Sequence, residues 1–101
     1  MIEQLDFLDT KKLSFLEIQE WLEPVQNMVF ECIRQHPGIS DREIAHRTGL
    51  ELATVCGRRN KLANPAQLWE HPLIVVSGYG QGKGNSPVKL WAINESVVEV
   101  E

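Results

Sequence analysis

Apolar residues recur at helical spacing through most of the first two thirds of the chain. In 14–23, Phe15, Ile18, Trp21 and Leu22 keep that spacing, and Ser14 with Glu17 writes the S-x-x-E capping box that opens a helix. Pro24 breaks or restarts it, since proline is tolerated in a first turn. Over 25–36, Val25, Met28, Val29, Cys32 and Ile33 share one face, and Asn27, Glu31 and Arg34 take the other. Pro37-Gly38 ends this helix. Ser40 then reads as an N-cap, with Glu43 completing a second capping box. Ile44, Ala45 and Thr48 face inward along a short helix that stops at Gly49. A further helix is expected from about Leu52 to Ala63, with Val55 and Leu62 buried and Asn64-Pro65 terminating it. Residues 66–71 are compatible with one more turn.

The period then changes. Leu73-Ile74-Val75-Val76 and the alternating run from Val88 to Ile93 read as two strands. Between them, residues 77–87 carry Gly78, Gly80, Gly82 and Gly84, which predicts a hairpin with a long loop at its tip. Residues 95–101 read as a frayed acidic tail. The expected architecture is α+β, mainly α: an N-terminal helical extension over 1–24, a domain over 25–94, and the tail.

The chain has 101 residues, 43% of them hydrophobic and 24% charged, which fits one folded domain rather than a disordered segment. No stretch reaches the roughly 18 apolar residues of a membrane helix. The start, Met1 to Asp9, is acidic rather than basic, so no secretory leader is expected. Cys32 and Cys56 form no CxxC pair, which argues against a disulfide scaffold or zinc finger and for a cytoplasmic chain with reduced thiols.

Net charge is −4, but it is unevenly spread. Residues 1–24 hold six acids against two lysines; 25–94 hold eight Lys and Arg against five acids; 95–101 hold three glutamates. A basic middle between acidic ends keeps nucleic acid in view.

Helix, helix–turn–helix and hairpin, in that order, resemble the winged helix-turn-helix DNA-binding domain of MarR-like and small phage regulators. The resemblance covers about Val25 to Asn94. It is carried by Ile39-Ser40-Asp41-Arg42-Glu43-Ile44-Ala45-His46-Arg47-Thr48-Gly49-Leu50, followed by Ala53-Thr54-Val55 and Leu62. Ala45, Gly49 and Val55 stand where that motif takes a small residue, a turn glycine and a core aliphatic. The chain departs from the pattern at Arg59, where relatives carry an apolar residue, in the long Asn64 to Pro72 segment, and in its acidic charge. The resemblance implies a three-helix core with a β-hairpin wing, and a sequence-specific DNA-binding protein acting as a transcriptional regulator of bacterial or phage origin.

On that reading, helix 52–63 enters the major groove. At 100° per residue, Thr54, Arg58 and Lys61 share roughly a 60° sector. Arg can fork onto guanine O6 and N7, and Thr can meet a phosphate or a thymine methyl. Gly57 either lets a groove wall come close or permits tight helix packing. Arg58 and Arg59 also read as ordinary solvated charges, Arg59 with its stem over apolar surface. Ser40 and Arg42 open the preceding helix, where free amides and a guanidinium can receive a phosphate, although Asp41 would repel one. In the expected wing (78–87), Lys83 and Asn85 are candidate contacts to flanking backbone; the alternative is a loop that touches nothing.

No catalytic constellation emerges. Gly82-Lys83-Gly84 fails the P-loop pattern, and His36, His46 and His71 are scattered. No cofactor or metal is expected. The apolar residues of 1–24 must be covered, by the back of the same domain or by a second copy, which would make a homodimer. The competing functional reading is a winged helix that binds proteins as an adaptor or assembly subunit, without nucleic acid.

Overall fold

The computed structural model describes residues 12–64, 71–82, 84 and 86–99. Its elements are α1 (Phe15–Gln19), α2 (Pro24–Gln35), α3 (Asp41–Thr48), α4 (Leu52–Ala63), β1 (Ile74–Gln81) and β2 (Pro87–Ile93). Among the described residues the architecture is α+β, with four helices and one antiparallel hairpin. Of the expected turn at 66–71, all but His71 lies outside the described residues.

Helix α1 starts where the capping box places it. Ser14 Oγ accepts from the Glu17 amide at 3.1 Å, and the Ser14 amide donates to Glu17 Oε1 at 3.0 Å. The helix is shorter than expected. After Gln19 the amides of Trp21 and Leu22 bond three residues back, to Ile18 and Gln19, and the chain tightens into a turn. Pro24 forces Glu23 to extended geometry (ψ 160°) and becomes the first residue of α2.

Helix α2 buries more than one stripe. Val29, Phe30 and Ile33 are fully buried, whereas Met28, expected inside, is 42% exposed. The reason is α1, which covers the far side of α2: Phe15 stacks on Phe30 with ring centroids 4.8 Å apart, and Ile18 joins the core. Thus the described part of the N-terminal extension packs on its own domain.

Helices α3 and α4 meet across a tight turn. Ser40 Oγ caps α3 through the Glu43 amide (3.2 Å), but the reciprocal half of the expected box does not form, because Glu43 turns to Arg47 (2.9 Å). Gly49 closes α3 in the left-handed region (φ 78°), and its amide donates to Ala45 O at 2.9 Å. Val55 and Leu62 of α4 are fully buried, as the pattern predicts.

The hairpin corrects the sequence reading. Its strands pair from Ile74↔Ile93 to Gln81↔Pro87, with a bulge between Val76 and Gly78, so most of the glycine-rich stretch is strand rather than loop. At Gly80 and Gly82 glycine is needed for space. A Cβ on Gly80 would lie 3.3 Å from Leu90 Cδ2, and one on Gly82 only 2.6 Å from Val88 Cγ1 and 2.8 Å from Ser86 O. Gly82→Ala should therefore cost about 1–3 kcal/mol in thermal unfolding. Gly78→Ala, which meets nothing within 4 Å, should cost nothing measurable. Ile39 bridges the outer edge of β2 at Trp91, tying the hairpin to the start of α3.

The tail is not frayed as far as Glu99. Val98 is fully buried, and the Leu13 amide donates to Val97 O while Leu13 O accepts from the Glu99 amide (2.9 and 2.8 Å). A short parallel bridge joins the two ends of the described chain.

Candidate nucleic-acid interface

Helix α4 presents three faces. Val55 and Leu62 enter the core. On one flank, Leu52, Cys56 and Arg59 line an open groove of about 670 Å³. The start of α3 (Ser40, Asp41, Arg42) and the hairpin (Gln81, Gly82, Val88, Lys89, Trp91) form its other walls. On the opposite flank, about 160° round the helix, lie Thr54, Arg58 and Lys61. The residues expected to act together are therefore split: Ser40 and Arg42 border the groove, while Thr54, Arg58 and Lys61 face away from it.

The groove wall is held by one ion pair. Arg59 Nη2 lies 2.7 Å from Asp41 Oδ2 and its Nε 3.0 Å from Oδ1, a forked geometry that ties α4 to α3. The side chains are only 13% and 20% exposed. The guanidinium also lies over the Trp91 ring, 4.4 Å from its centroid, which ties both helices to β2. Asp41, read from the sequence as a residue that would repel phosphate, is thus the partner of Arg59. Hydrogen bonding to Asp41 raises the Arg59 pKa further. The guanidinium plane of Arg59 thus covers one face of Trp91.

Cys56 also points its thiol at Asp41, with Sγ 3.4 Å from Oδ2. Burial first, and the Asp41 carboxylate second, push its pKa up. Burial likewise raises that of Cys32. Both thiols should therefore be labelled by iodoacetamide at pH 7.5 several-fold more slowly in the native protein than after unfolding in urea; equal rates would contradict the geometry.

Among the described residues, Arg42 and Lys61 are exposed and have no ion pair or hydrogen bond. Ser40 is engaged in its cap. Thr54 is half-buried, and Gly57 is exposed with nothing within 4 Å of a Cβ, so tight packing does not explain it. Arg58 faces Glu23 at the start of α2, Nε to Oε1 2.9 Å. Lys83 and Asn85 lie outside the described residues. Lys89, overlooked in the sequence as a contact, stands exposed on β2 with its Nζ 6.0 Å from the Trp91 centroid. The signal was present: Lys89 and Trp91 are two apart on a strand and so share a face.

Among the described residues, no three His, Cys, Asp or Glu side chains gather where they could hold a metal ion, and no helix is long and apolar enough to cross a membrane. No protein-family model, no curated protein and no solved structure matches the chain.

Proposed function

We propose that this protein is a winged helix-turn-helix that binds double-stranded DNA. α3 and α4 form the helix-turn-helix unit, α4 enters the major groove, and the hairpin touches the flanking backbone. One observation carries the reading. Arg34, Arg47, Arg58 and Arg59 face carboxylates, whereas Arg42, Lys61 and Lys89, without carboxylate partners among the described residues, stand on α3, α4 and β2 around the helix pair. Cations held out in solvent around a helix-turn-helix are what a phosphate backbone recruits. Arg42 and Lys89 flank the groove that a strand of backbone would follow, and Arg58 with Lys61 reads the other flank of α4. The role fits a transcriptional regulator, and Leu16, 74% exposed on α1, is available to a second copy whose α4 would sit one helical turn of DNA away.

The test is a titration of a labelled duplex with the wild type and with Arg58→Ala/Lys61→Ala. The double variant should bind more than tenfold more weakly while its circular dichroism stays native. Unchanged affinity in a folded variant removes this flank as the contact face. Gly57→Ala sharpens the point: it should stabilise α4 by about 0.5–1 kcal/mol yet weaken DNA binding, since the open side of Gly57 faces the approaching groove wall. If affinity holds while stability rises, α4 is not docked through this side.

The groove supports a second reading. Its apolar residues, Leu52 (39% exposed), Val88 and Trp91, suit a protein segment. Salt separates the two, because release of counterions makes DNA binding steeply salt-dependent.

A further inference from the structure

Resting on the DNA-binding reading, we propose that Glu23 is a built-in competitor of DNA: it holds Arg58 in a withdrawn ion pair that the duplex must displace. Glu23 is the N-cap residue of α2, yet its side chain makes no capping hydrogen bond. Its carboxylate reaches α4 instead, with Oε1 2.9 Å from Arg58 Nε. The grip is incomplete. That Nε is shielded from solvent but its N–H is not aligned on any acceptor among the described residues, so the contact with Glu23 is ionic rather than a hydrogen bond. The two side chains are 33% and 46% exposed, an exposure at which ion pairs are held weakly. A guanidinium in this state gains a forked hydrogen bond by moving to a phosphate or a guanine. Lys61, one turn further along the same flank, has no such carboxylate among the described residues. Through this contact the acidic N-terminal part of the chain reaches into the basic middle and lowers its affinity.

The experiment compares the wild type with Glu23→Gln, Glu20→Gln, Arg58→Ala and Glu23→Gln/Arg58→Ala in anisotropy titrations of a random-sequence duplex. Glu23→Gln should bind roughly three- to tenfold more tightly at low salt, with a log–log salt slope steeper by about 1. Glu20→Gln, which removes an equal charge from the exposed C-cap of α1, should gain clearly less. In the Arg58→Ala background, Glu23→Gln should gain no more than Glu20→Gln does. A full gain without Arg58, or an equal gain from Glu20→Gln, means a general charge effect and overturns the proposal. Binding by wild type and Glu23→Gln with equal affinity overturns it alone. Failure of both folded proteins to bind overturns the DNA reading and this contact with it.

Discussion

Asp41→Ala is expected to lower the unfolding free energy by about 2–3 kcal/mol, because it strands a largely buried guanidinium. Arg59 would be left over the Trp91 ring with its carboxylate gone, at 13% exposure, and the Cys56 thiol would lose its acceptor. In a domain of this size the loss corresponds to a fall in Tm of roughly 10–20 °C. Much of it is the cost of an unpaired charge, so removing both partners should hurt less than the sum. A double-mutant cycle with Arg59→Met checks this: a coupling energy above about 1 kcal/mol is expected. Additive effects would mean that the forked pair does not join α3 to α4. The pair also shapes the groove, so Asp41→Ala should loosen any ligand bound there.

The second large effect concerns binding. Replacing Arg42, Lys61 and Lys89 together by Ala should weaken DNA affinity about 100-fold or more at low salt and flatten the salt slope by about 3. All three side chains are exposed and have no hydrogen-bond or ion-pair partner among the described residues, so the fold should be untouched, with Tm within a few degrees of the wild type. The matched control is Arg34→Ala/Arg47→Ala, which removes two cations already neutralised by Glu31 and Glu43. That variant should change affinity by less than about threefold. If it weakens binding as much as the triple variant, the charged face has been misplaced.

What the sequence disclosed, and what it hid, follows from the range of each interaction. The caps at Ser14 and Ser40, the proline start of α2 and the glycine stop at Gly49 are local, and each was legible within four residues. The burial of Phe30 was not, because a single-helix pattern cannot know that α1 covers the second side of α2. The alternating glycines read as loop by propensity. Two of them, Gly80 and Gly82, are held to glycine by crowding from Leu90, Val88 and Ser86 across the strand pair, whereas Gly78 and Gly84 meet nothing. Val98 looked like part of an acidic tail, but it is buried and bridged to Leu13, near the start of the described residues. The candidate site divides the same way. A helical wheel grouped Thr54, Arg58 and Lys61, and it placed Arg59 at the edge of the core. It could not supply the partners on other elements, Glu23 for Arg58 and Asp41 for Arg59. Those carboxylates decide which cations are available.

The most direct measurement is the anisotropy of a labelled random-sequence duplex titrated with the folded wild-type protein at about 50 and 200 mM salt. Neutralising about three phosphates predicts micromolar binding at the lower salt and a roughly 10- to 50-fold loss at the higher. Binding that ignores salt, or its absence at low salt in a protein with native circular dichroism, would contradict the assignment of this helix pair and hairpin to DNA.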